Sequence, residues 1–212
     1  WVNDVKAGTH TGGYTPFSLD ITDALKAGEN TLTVKVWDGT DTGFQPRGKQ
    51  VSKPGGIWYT SVTGIWQTVW MEPVPEQYIA NLRTTPDLGA GCFRIEAEGI
   101  ARGIVEYRLK AEGRTVATAR SLAGAEAEIR VPEARTWSPD DPYLYDLEAA
   151  LIVDGKVVDR VRSYCALREV GTMTGEDGIV RMTLNGKPIF MYGPLDQGWW
   201  PDGLYTAPTD EA

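Results

Sequence analysis

Asp196, Gln197, Trp199 and Trp200 fall within one short stretch, "GPLDQGWWPDG", near the end of the 212-residue chain. A carboxylate and an amide beside two indoles could accept hydrogen bonds from sugar hydroxyls and stack on the apolar face of a pyranose. The same tryptophans could equally pack the loop against a neighbouring domain, since Trp buries a large area wherever it can. A second polar stretch, "TDTGFQPRGKQ", holds Arg47, Lys49 and Gln50; taken by itself it reads as an exposed loop held by Asp41 and Arg47. Groups for acid–base or nucleophilic chemistry are scarcer. The adjacent carboxylates in "SPDDPYLYD" and "TGEDG" do not make a pair, because neighbours on a strand point to opposite faces and loop acids usually turn the chain. His10, the sole histidine, sits in "AGTHTGGY" without a Cys, His or carboxylate cluster, which reads as a turn residue and not as a ligand or base. No metal site and no cofactor site is expected.

Composition narrows the class. Hydrophobic residues at 42% against 24% charged describe a chain with a core, not a disordered one. Net charge is -8 without a Lys/Arg block, which disfavours nucleic acid as a partner. No apolar run approaches the ~18 residues of a membrane-spanning helix. The chain opens on "WVNDVKAG", lacks an initiator Met and closes in a polar run, so it is expected to be a piece of a longer protein. The two-residue period puts Cys92 on the outer side of its strand with Arg94 and Glu96, and Cys165 on the core side with Val161 and Leu167. Two free thiols are therefore expected, and no disulfide.

The elements that must position these residues read as all β. "NTLTVKVWD" alternates Leu32, Val34 and Val36 against Thr33, Lys35 and Trp37. "GIVEYRLKAEG" and "LYDLEAALIVDG" do the same through Val105, Tyr107, Leu109 and through Tyr145, Leu147, Ala149, Leu151, Val153. Glu112-Gly113, Asp154-Gly155 and Asn185-Gly186 mark turns, the last two suited to tight hairpins. One helical turn is expected in "TDALKAGEN", with Thr22 or Asp23 as cap and Gly28 ending it. Tyr143 or Tyr145 is a candidate for a phenol that ties an inter-sheet connection to backbone. Pro73 and Pro75 in "MEPVPEQYIANL" read as a linker, and "GTMTGEDG" as a polar connector.

Three runs carry a family resemblance in a fixed order. "HTGGYTPFSLDITDALKAGENTLTVKVWD" followed by "GKQVSKPGGIWYTSVTGIWQTVWMEP" resembles the N-terminal jelly-roll domain of glycoside hydrolase family 2, the β-galactosidases, β-glucuronidases and β-mannosidases. "WSPDDPYLYDLEAAL" with "VRSYCALREV" resembles that family's immunoglobulin-like domain, and "LNGKPIFMYG" is similar to the hairpin that enters its (β/α)8 barrel. The resemblance implies an all-β chain in three parts: a partial jelly-roll, galactose-binding-like domain at 1–74, an immunoglobulin-like β-sandwich at 75–170, and the entry hairpin and first strand of the barrel at 171–212. It implies a retaining exo-β-glycosidase whose acid/base and nucleophile glutamates lie on later barrel strands, about 5 Å apart. No catalytic residue is then expected within this chain, and the chain alone should be inactive. Asp196, Gln197 and Trp199 would lie at the barrel rim, and Lys49 and Gln50 in the jelly-roll loop that leads to it. Arg162 and Arg168, around Tyr164, would pair with carboxylates between domains. The chain departs from the family's β-galactosidases twice. Leu195, Asp196 and Gln197 stand where an Asn and a His-Glu step are often found, and Gly55, Gly56 and Ile57 precede Trp58 where a carboxylate would reach the sugar. The sugar is therefore left open. The expected partner is a carbohydrate substrate, with homo-oligomers left open; a stand-alone carbohydrate-binding module and an adhesion sandwich are the alternatives.

Overall fold

Alternating sequence becomes a ladder wherever a second strand lies alongside to take its N–H and C=O groups. The computed structural model describes residues 1–198, 200 and 206–212, and resolves them into two units, 1–70 with 196–212, and 71–195. No α-helix occurs among the described residues. The strands, in chain order, are β1 (Gln50–Val51), β2 (Tyr59–Thr60), β3 (Asn81–Asp87), β4 (Cys92–Glu98), β5 (Ile104–Ala111), β6 (Arg114–Leu122), β7 (Ala127–Arg130), β8 (Tyr145–Val153), β9 (Lys156–Cys165), β10 (Val170–Thr174), β11 (Val180–Leu184) and β12 (Lys187–Pro188).

In the 71–195 unit, β3-β4-β7 form one antiparallel sheet and β6-β5-β8-β9 another. Their inner faces share one core. Phe93, Ile95 and Ala97 of β4 and Ile129 of β7 meet Val105, Tyr107 and Leu109 of β5 and Leu147, Ala149 and Leu151 of β8. This is a two-layer sandwich, and each large side chain sealed inside it contributes about 1.5–3 kcal/mol. The opposite face of β5 carries Glu106, Arg108 and Lys110, as the alternation requires. Glu106 receives Arg120 (3.0 Å) and Arg108, and Glu148 receives Lys110 (2.7 Å).

Two-residue turns close three hairpins with positive φ at both positions: Glu112 and Gly113 at 51° and 77°, Asp154 and Gly155 at 50° and 77°, Asn185 and Gly186 at 51° and 74°. That is the conformation whose twist suits the flanking strands. The crossing from β7 to β8 is fixed by Tyr145, whose hydroxyl accepts from the Arg135 amide (2.8 Å) and donates to its carbonyl (3.3 Å). The neighbouring Tyr143 instead lays its ring edge-on to Tyr145 and beneath the Arg135 guanidinium. Asp141 pairs with Arg135 through Nε at 2.8 Å, and the guanidinium holds its carboxyl below the usual range. Its backbone exchanges hydrogen bonds with Ser138. The Asp140–Asp141 pair is thus part of a turn.

Several expectations are corrected. Cys92 is buried at 1% exposure although it lies off the core. The long side chains of Arg94, Glu128 and Arg130, with Asp87, crowd around it on the outer face, and alternation alone does not register such a cover. Both thiols are free. Arg162 reaches Glu148 within its own sheet (3.7 Å), and Arg168 lies over the Trp137 ring (4.8 Å), so both are satisfied inside the unit. The presumed connector at 171–178 supplies strand β10, paired with β11, while Asp177 closes the turn between them on the Ile179 amide and Arg181. Beyond Pro188 the apolar run expected to be a strand makes one ladder bond, from the Ile189 amide to the Met182 carbonyl (3.1 Å), and forms no strand among the described residues; Phe190, Tyr192 and Leu195 are exposed.

The other unit departs furthest from its sequence pattern. Residues 31–38 form one bridge, Val2 to Leu32, and Leu32, Val34 and Val36 stay exposed. The Trp-rich run at 63–70 likewise forms no strand. Alternation without a neighbouring strand cannot satisfy backbone groups and so does not make a sheet. The expected helical turn is a short 3-10 piece, Thr22–Ala24. Its N-cap is Ile21, without a side-chain cap bond, in place of Thr22 or Asp23; one residue earlier Asp20 accepts from the Thr22 amide (2.9 Å) and hydroxyl (2.7 Å). Gly28 is left-handed at φ 85° but does not end the piece, which has already stopped at Ala24 with Leu25 extended.

Burial pushes the Cys165 thiol up to about 12, and raises the Tyr107 and Tyr145 phenols as well. A neutral group whose folded pKa is raised stabilises the fold fully below its unfolded value and progressively less as pH climbs toward the folded one. Unfolding free energy should therefore fall as pH rises from 9 toward 12. Cys165→Ala should reduce the slope between about pH 9 and 10, below the ordinary range of the phenols. Urea titrations at stepped pH check this; an unaltered slope in the variant assigns the effect to other groups.

Candidate functional site

Short parallel pairing of β1 with β2 sets the geometry: Gln50 lies opposite Tyr59, and the Tyr59 amide donates to the Lys49 carbonyl at 2.8 Å. Lys49 and Tyr59 therefore stand side by side, the ammonium 6.0 Å from the ring centroid. Both reach one acceptor. Gln197 Oε1 receives the Tyr59 hydroxyl at 2.8 Å and Lys49 Nζ at 3.3 Å, across 138 and 148 positions of sequence. Beside it, Asp196 Oδ1 accepts from the Gly198 amide at 3.1 Å and folds the segment into a tight turn. The other Asp196 oxygen has no protein partner among the described residues. A further tie lies nine residues on, where the Thr206 hydroxyl donates to the Trp66 carbonyl at 2.7 Å.

The remaining candidates divide. Gln50 is turned to structure, its Oε1 accepting from the Val62 amide at 2.8 Å. Trp199 lies outside the described residues, and Trp200 is exposed. Arg47 donates to the Asp41 carbonyl (3.4 Å) and its guanidinium carbon stands 6.0 Å from the Trp58 ring centroid. The Asp41 carboxylate takes the Ser52 hydroxyl and amide, and this holds its pKa down. The loop is thus held by Asp41 and Arg47, though not by pairing with each other's charges. His10 stacks on Phe17 at 4.4 Å with Thr15 beside its Nε2. No group of three His, Cys, Asp or Glu side chains among the described residues gathers to hold a metal. Tyr59 was not singled out from sequence. Its signal is faint: a phenol next to Trp58 that opens a two-residue strand, whose partner is set by a parallel bridge.

Among the described residues this cluster brings together hydrogen-bond donors and acceptors and no pair of carboxylates facing across a gap. Comparison with known proteins bears on the rest. Residues 77–168 match the profile of the family described as Glycosyl hydrolases family 2. A putative beta-glucuronidase of Formosa agariphila is 29% identical over 180 residues, 79% of this chain and 21% of that protein. A beta-galactosidase of Thermoanaerobacter pseudethanolicus is 28% identical over 208 residues, 91% of this chain and 27% of that protein. The match at 77–168 and these relatives support membership of glycosyl hydrolase family 2. Among solved structures, the b-glucuronidase of Ruminococcus gnavus in complex with D-glucuronic acid is similar over 56% of this chain and 20% of that one, at 21% identity and a TM-score of 0.46. The chain spans about a quarter of the length of these two curated relatives.

Proposed function

We propose that this chain is the part of a retaining exo-β-glycosidase that supports and edges the sugar pocket, while the bond-breaking glutamates belong to barrel strands outside it. In this reading 1–74 is the C-terminal part of a jelly-roll domain, 75–170 an immunoglobulin-like domain, and 171–212 the start of the (β/α)8 barrel. The convergence of Lys49, Tyr59 and Gln197 beside Asp196 carries the proposal. Two segments far apart in sequence meet at polar side chains, as a pocket rim requires, and the Asp196 oxygen without a partner among the described residues suits a sugar hydroxyl. Asp196 and Trp199 are the proposed sugar contacts, with Lys49, Gln50 and Gln197 shaping the rim around them. Relatives named beta-glucuronidase and beta-galactosidase support a β-linked glycoside as substrate and leave the sugar to be decided by assay.

The test compares this chain with the full-length product of its gene on 4-nitrophenyl β-D-glucuronide and β-D-galactoside. The longer protein should hydrolyse one of them, releasing the β-anomer first as double displacement demands, and the chain alone should not exceed background. Turnover by the chain alone would overturn the division of labour. Sugar binding by the chain alone, with no hydrolysis by the longer protein, would favour a stand-alone carbohydrate-binding module.

A further inference from the structure

We infer that Tyr59 and Lys49 are positioning residues that clamp Gln197 and thereby set where the neighbouring Asp196 carboxylate stands, so that they govern affinity for the sugar without touching it. The inference rests on the proposed function above. Gln197 Oε1 has two acceptor sites, and the Tyr59 hydroxyl (2.8 Å) and the Lys49 ammonium (3.3 Å) use both. That oxygen is therefore committed to protein and has none left for a ligand. Asp196 is in the opposite condition. One oxygen closes the turn onto Gly198, and the other has no partner among the described residues. Because the two residues are adjacent, holding the Gln197 side chain holds the backbone from which the Asp196 carboxylate projects.

The clamp is itself rigidly mounted. Lys49 and Tyr59 are joined backbone to backbone at 2.8 Å, Gln50 anchors the Val62 amide, and Asp41 anchors Ser52 just past β1. Of the two donors, Tyr59 makes the shorter bond from a half-buried ring, whereas Lys49 is exposed and at the limit of the distance. Tyr59 is thus the stronger arm. Among the described residues only the oxygen of the Gln197 amide is used, so a carboxylate at that position can accept both bonds, and a methyl-terminated side chain can accept neither. This chemistry separates a clamp from a substrate contact.

The experiment uses the full-length enzyme with Tyr59→Phe, Gln197→Leu and Gln197→Glu, assayed on the 4-nitrophenyl glycoside that it hydrolyses. Loss of the clamp should raise KM about 10-fold in Tyr59→Phe and Gln197→Leu, the scale of one hydrogen bond, with kcat within about twofold. Gln197→Glu should keep KM within about threefold of the parent, since its acceptor is retained. Amide exchange of the peptide spanning 193–198 should quicken in the first two variants and not in the third. Unchanged KM and unchanged exchange in Tyr59→Phe overturn the clamp. A loss in Gln197→Glu as large as in Gln197→Leu places the amide in contact with sugar and overturns it too. Should the full-length protein hydrolyse no glycoside, the functional reading fails by itself, and the exchange measurement still decides the clamp.

Discussion

Phe93→Ala should lower the unfolding free energy of the 71–195 unit by about 3–5 kcal/mol, the range for deleting a buried aromatic ring from a packed core. Phe93 is fully enclosed on β4, where it faces the second sheet, and its ring meets Tyr145 edge-on with centroids 5.8 Å apart. Two losses combine. The ring forfeits its transfer out of water, and the cavity strips Tyr145 of the surface that fixes its angle. Tyr145 in turn holds the Arg135 backbone at the crossing between the sheets, so the damage reaches beyond one site. Both thiols of the chain are buried in this unit, which supplies a local reporter. Urea titration followed by labelling of Cys165 and Cys92 should show the midpoint displaced in the variant. Equal midpoints would mean that this ring does not join the two sheets into one core.

Gly103→Ala should rank second, at about 2–4 kcal/mol, combining backbone strain with overlap. Gly103 opens the approach to β5 at φ 118°, a region that L side chains rarely adopt. A Cβ there would stand 2.7 Å from the Ile152 carbonyl oxygen, 3.0 Å from Leu151 Cδ1 and 3.1 Å from Val153 Cγ2. The first of these is backbone in a paired strand and cannot swing aside. Relief requires β5 to shift against β8, which disturbs the ladder running from Ile104–Ile152 to Lys110–Asp146. Gly113→Ala is the informative control. Its φ is also positive, at 77°, but nothing lies within 4 Å of its Cβ position, so it should show the conformational part alone. The same urea titration measures both. A Gly103→Ala variant no less stable than Gly113→Ala would remove the steric argument.

The candidate site was partly legible in the sequence. Lys49 and Gln197 stood out as polar residues in suggestive loops, and they meet. Gln50 stood out equally and is spent on the Val62 amide. Tyr59 did not stand out, although it makes the shorter of the two bonds to Gln197. A side chain's type and its neighbours in sequence are local facts. Whether its polar atom faces a partner 138 positions away is not.

The sequence by itself determined the sandwich of 71–195. Alternation in β4, β5 and β8 selects one inward face, and dipeptides such as Asp154-Gly155 and Asn185-Gly186 accept the positive φ that a two-residue turn imposes. These choices are made residue by residue, so they can be read residue by residue. Only the tertiary structure decided that Cys92 lies covered, that 171–174 joins a sheet, and that the equally regular alternation at 31–38 forms none. The physical reason is common to all three. Burial and ladder formation depend on what stands across from a residue, and a strand's pattern states which face it would bury but not whether another chain segment arrives to bury it.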